Sequence, residues 1–201
     1  MVLDFDKAIL GQSRAIWVHS RAINNDMFAG SPGSISKKVC TASFQSKAEL
    51  KGAVDTCLGL SPRGDSLNGP HGSISDWDVS SVTDMTAVFA DANAFNGDIS
   101  KWDVSSVTSM MCMFDRAAQF NGDLSKWNVS SVILMVRTIS EATSFNKDIS
   151  NWDMSNVINM DRLLCRTTTF DGDISKWHVS RVKSMSHMMM MTPLFNSDVS
   201  K

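Results

Sequence analysis

A tryptophan recurs every 25 residues, at Trp77, Trp102, Trp127, Trp152 and Trp177, and no other feature constrains the fold as tightly. The same frame returns around each one. Ile74, Ile99, Leu124, Ile149 and Ile174 stand three residues before it, with Val199 continuing the series, and Val79, Val104, Val129, Met154 and Val179 stand two after. Val82, Val107, Val132, Val157 and Val182 follow, then Met85, Met110, Met135, Met160 and Met185. Phe95, Phe120, Phe145, Phe170 and Phe195 close the unit. So short a unit cannot enclose its own apolar face, so successive units must stack and share one core.

Within a unit, Trp102 and Val104 at i and i+2 are the shortest β signal, with both side chains on one face. The steps of three and four through Val107, Met110, Met113 and Phe114 predict a helical or 3₁₀ arc. Asn96-Gly97 and Asn121-Gly122 predict turns with positive φ. The run FNGDISKWDVSSVTSM (Phe95 to Met110) and its copies resemble the BspA-like leucine-rich repeat surface proteins. That resemblance spans about Ser73 to Lys201. It implies a curved α/β solenoid, used for adhesion or protein binding at a cell surface, with no catalytic motif. The expected fold is therefore an α/β, leucine-rich-repeat-like right-handed solenoid of about five 25-residue coils, preceded by a capping helix.

That helix is predicted from Ser46 to about Gly59. Ser46 and Glu49 fit a capping box, and Leu50, Ala53, Val54, Cys57 and Leu58 recur on one helical face. Leu60 to Gly72 is a Gly/Pro/Ser-rich connection. The domain reading is an N-terminal extension at 1–45, partly ordered or flexible, a capping helix and linker at 46–72, and the repeat array at 73–201. In the extension, Phe5, Ile9, Leu10, Ile16, Trp17 and Val18 hint at a helix, which Gly30-Ser31-Pro32-Gly33-Ser34 breaks.

A formal charge of −2 leaves no basic surplus for a phosphate backbone, so nucleic acid is not an expected partner. No run approaches the ~18 apolar residues of a membrane-spanning helix. Asp4, Asp6, Lys7 and Arg14 stand where a secretory signal would need an apolar stretch. Cys40, Cys57, Cys112 and Cys165 have no metal-ligand spacing and read as free thiols, and no cofactor is expected.

Polar columns flank each tryptophan. Asp76, Lys101, Lys126, Asn151 and Lys176 precede it; Asp78, Asp103, Asn128, Asp153 and His178 follow it. They admit two readings, a ligand-binding face or a solvated face kept soluble by mixed charge. Asp98, Asp123, Asp148, Asp173 and Asp198 form a further column, which suits either calcium or, better, turn capping through backbone N–H groups. A catalytic groove would need a local cluster, for which Asp153, Lys176, His178 and Arg181 are the nearest candidates. No phosphate loop and no nucleophile elbow occurs.

Only in the last unit do Met190, Met191 and Leu194 replace mainly polar residues, which predicts a contact surface there. The candidate partner-binding residues are thus Lys101, Asp103, Lys126, Asn128, Asp153, Lys176, His178, Arg181, Met190, Met191 and Leu194. The expected function is a non-enzymatic protein-interaction or adhesion scaffold that binds a protein partner or the subunits of a larger assembly. The alternatives are a carbohydrate-active β-helix enzyme and a purely structural subunit.

Overall fold

A computed structural model describes residues 42–65 and 69–197. The chain divides after Cys40 into two units. The N-terminal helix hinted at by Phe5 to Val18 lies outside the described residues, as do Asp198, Val199, Ser200 and Lys201.

The second unit begins with α1, Lys47–Leu60, whose N-cap is Ser46. The Glu49 amide donates to Ser46 Oγ at 3.3 Å, while the Glu49 carboxylate accepts from the Gln45 amide at 2.8 Å. The cap thus ties down two of the free N–H groups of the first turn. Leu50, Ala53, Val54 and Cys57 form its buried face and join the core of the repeat array. At the C-terminus, the Ser61 amide donates to the Cys57 carbonyl at 2.8 Å and ends the helix. Just upstream, Ser43 forms a parallel bridge with Asp78, and Phe44 packs on Trp77 with ring centroids 5.1 Å apart.

The five repeats stack as five coils, one per tryptophan, but they are not an α/β solenoid. Among the described residues there is one α-helix, one 3₁₀ turn at Ile74–Asp76 and no strand. In place of a sheet, single parallel bridges link Asp84, Ser109, Leu134, Asn159 and Ser184. They fall in the stretch where the sequence predicts a helical arc, and the segment around each tryptophan is mostly turns. Both the expected strand and the expected leucine-rich-repeat geometry are therefore corrected.

The physical reason is the backbone from Met85 to Asp91 and its copies. Ala87 and Asp91 have φ of 59° and 61°, and so do their counterparts to within a few degrees, down to His187 and Met191. A positive φ at every fourth residue prevents either a strand or a helix from propagating. The amides then split into two sets. Those of Val88 and Ala90 bond back three residues within the coil, whereas those of Met85, Ala87, Phe89 and Asp91 donate to the carbonyls of Ser109, Met111, Met113 and Asp115 in the next coil at 2.8–2.9 Å. The last set repeats at every junction of the stack.

Side chains follow the same register. Each indole donates to a carbonyl 28 residues earlier, Trp102 to Ile74 at 2.8 Å and Trp127 to Ile99 at 3.2 Å. The first coil has no predecessor, so Trp77 uses the His71 carbonyl of the linker at 3.0 Å. Phe95, Phe120, Phe145, Phe170 and Phe195 stack with centroids 5.6–6.2 Å apart. The Asn-Gly pairs do not adopt positive φ. Instead Asn96 Oδ1 accepts from the Asn121 amide, Asn121 Oδ1 from Asn146 and Asn146 Oδ1 from Asp171, at 2.9–3.0 Å. Gly97 is small because a Cβ there would lie 2.9 Å from both the Gly64 carbonyl and the Phe95 ring.

Candidate functional site

All eight candidates beside the tryptophans, Lys101, Asp103, Lys126, Asn128, Asp153, Lys176, His178 and Arg181, are exposed. The acidic and amide members have a local task. Asp103, Asn128 and Asp153 accept the amides of Ser105, Ser130 and Ser155 at 3.0–3.2 Å. Asp98, Asp123, Asp148 and Asp173 do the same for Ser100, Ser125, Ser150 and Ser175. The serine hydroxyl and then the serine amide hold Asp98, Asp103, Asp123 and Asp153 below the ordinary carboxylate range. The column of aspartates is therefore a column of turn caps.

The basic candidates are dispersed. Lys101 acts on Asp98 through its charge, Lys176 on Asp148 and His178 on Asp153, each as a minor contribution behind the serine hydrogen bonds. Arg181 reaches one coil back and donates to Asn156 Oδ1 at 2.7 Å. Asp153, Lys176, His178 and Arg181 thus do not converge on one point as a reacting centre requires. Among the described residues, no three His, Cys, Asp or Glu side chains are placed to hold a metal ion. Burial pushes the thiols of Cys57 and Cys112 up, with Asp65 and Asp115 adding to it.

A charged ladder elsewhere escapes a reading centred on the tryptophans. The second positive-φ position of successive coils holds Asp91, Arg116, Glu141 and Arg166, alternating in sign. Arg116 pairs with Asp91 at 3.0 Å and Arg166 with Glu141 at 3.6 Å. Beside it, buried Asp115 meets Arg137 at 3.1 Å, yet Asp115 Oδ1 and Arg137 Nε have no partner. Arg116, Glu141 and Arg166, with Thr143 and Thr168, line a shallow groove of about 450 Å³ that ends at Met191. The alternating signs were legible as a column at 25-residue spacing. That the column forms a groove depends on the positive φ.

The last coil differs most from the others. Met185 is 48% exposed and Val179 36%, where their counterparts Met160 and Met154 are fully buried. Met190, Met191 and Leu194 are exposed as well. Met160, Trp177, Val179, Met185, Met189 and Phe195 line an open cavity of about 510 Å³. The sequence-predicted contact residues Met190, Met191 and Leu194 therefore border a larger apolar face, to which Val179 and Met185 belong. Those two keep the residue types of every buried copy, so their exposure carries no sequence signal.

This 25-residue frame matches a family described as "Mycoplasma protein of unknown function, DUF285" over residues 65–164 and again over 122–201. The chain belongs to that family. The resemblance to BspA-like leucine-rich repeat proteins is corrected accordingly. The family is one of repeats, consistent with the tandem units, and its description assigns no activity. Neither curated proteins nor solved structures provide a match. No helix among the described residues is long and apolar enough to cross a membrane.

Proposed function

We propose that the repeat array is a non-enzymatic protein-interaction scaffold whose contact surface is centred on the last coil. The observation that carries this reading is the exposure of core-type side chains there, Val179 and Met185 with Met190, Met191 and Leu194 beside them. Contiguous exposed apolar surface of this kind marks interaction sites, and methionine adapts its shape to a partner. The dispersal of Asp153, Lys176, His178 and Arg181 supports this reading over a carbohydrate-active enzyme. The adhesive, cell-surface role implied by the leucine-rich-repeat resemblance loses that support with the family correction.

The test is the double change Met190→Asp/Met191→Asp. Its residues occur naturally at the same places in other coils, as Asp115 and Asp91, so the frame accommodates them. In a pull-down from the native source, the protein should capture a specific partner that the double variant loses, with an unchanged far-UV circular dichroism spectrum. Identical captures by both proteins would overturn the reading. Stabilisation by an oligosaccharide in a thermal-shift screen would favour the enzyme instead.

A further inference from the structure

The inter-coil hydrogen bonds are polarised. At each junction four amides of one coil point toward the next, and four carbonyls of the next coil point back. The fourth coil donates from Met160, Arg162, Leu164 and Arg166 to the carbonyls of Ser184, Ser186, Met188 and Met190, at 2.8–2.9 Å. The equivalent amides of the fifth coil belong to Met185, His187, Met189 and Met191. Among the described residues none of them has a backbone acceptor. The backbone is nonetheless already shaped to donate, with φ of 56° at His187 and 59° at Met191. The Ile174 carbonyl likewise lacks the indole donor that reaches Ile74, Ile99, Leu124 and Ile149 in the earlier coils.

This end therefore presents a row of donors beside an apolar cavity of about 510 Å³. An occupant must supply a matching row of carbonyls together with apolar side chains. A second copy docking end to end by the same face would set donors against donors. Its acceptor end is not free either. The carbonyls of Asp84, Thr86, Val88 and Ala90 face α1, where Lys47 pairs with Asp84 at 3.1 Å and Lys51 and Leu58 share a cavity with Val88 and Ala90.

The geometry points to a separate polypeptide segment with this same 25-residue frame, seated on the last coil and pairing its carbonyls with the amides of Met185, His187, Met189 and Met191. This rests on the interaction-scaffold reading and names its partner class. The edge works as strand addition does, with main-chain bonds giving affinity and side-chain pockets giving register.

The experiment is amide hydrogen exchange followed by NMR on the full chain. The probe is a second Trp102–Lys126 segment, joined after Lys201 by a flexible Gly/Ser linker of about 20 residues, which holds it near millimolar effective concentration. In the unmodified chain the four amides should exchange much faster than those of Met160, Arg162, Leu164 and Arg166. The tethered segment should slow them about tenfold or more, while a scrambled segment should not. Four amides that stay fast with the intact segment would overturn the proposal, as would amides already protected in the unmodified chain, whether monomeric or self-associated. A partner lost on Met190→Asp/Met191→Asp but bound with these amides still fast would overturn the donor edge and leave the scaffold reading in place.

Discussion

Ten non-glycine residues in the described part of the chain have positive φ, two in each coil. Each costs on the order of 1 kcal/mol relative to glycine, and the stack tolerates this because the same amides bond to the next coil. Ala87 has no polar side chain, so it isolates the effect. Ala87→Gly should stabilise by about 0.5–1 kcal/mol and Ala87→Val should destabilise, as read from urea midpoints. Asp115 illustrates a different residue-scale tension. It is buried against Arg137, which is about one-third exposed, and one oxygen and one nitrogen of the pair are unsatisfied. Arg137→Ala would strand the carboxylate and should cost about 2 kcal/mol after allowing for solvent around the arginine. Asp115→Ser, the residue found at 140, should restore much of that loss in the Arg137→Ala background. A double variant no more stable than Arg137→Ala would disprove the stranded-charge account.

At the scale of the coil, the tryptophan is both core and hydrogen-bond donor. Trp127→Ala should cost about 3–5 kcal/mol through its cavity and the lost bond to Ile99. Trp127→Phe should cost less. An unchanged melting temperature for Trp127→Ala would remove the basis for a shared core. The serine-capped aspartates make a second element-scale prediction. Their carboxyls lie below the ordinary range, so the stability they contribute is present above about pH 4 and is lost as pH falls through their folded values. The melting temperature should therefore decline below about pH 4, and the combined change of Ser100, Ser105, Ser125 and Ser155 to alanine should flatten that decline. Equal acid slopes in both proteins would refute the capping role. The capping of α1 was legible because Ser46 and Glu49 act locally. The backbone of the coils was not, because alternating φ leaves no composition signal when Ala87, Cys112, Arg137, Arg162 and His187 share one conformation.

At the scale of the whole molecule, the stack has two unlike ends. Helix α1 covers the first coil with Leu50, Ala53, Val54 and Cys57, whereas the last coil leaves Met185 and Val179 open. A chain starting at Thr41 should keep the repeat array folded. One starting at Ser61 should bare the first coil and scatter light at concentrations where the longer chain does not. Indistinguishable scattering from the two truncations would rule out a covering role for α1.

The 25-residue spacing by itself determined that the units stack, that Trp, Val, Met and Phe point inward, and that α1 starts at a serine cap. These follow from hydrophobic periodicity and local capping, which are written residue by residue. Only the tertiary structure decided that the coils hold together through polarised amide rows and isolated bridges instead of strands. It also decided that the tryptophan-flanking aspartates are spent on turns, and that a charged groove runs through Arg116, Glu141 and Arg166. The reason is that each of these depends on which groups of neighbouring coils meet. Two residues 24 or 25 positions apart acquire a relation only once the stack exists.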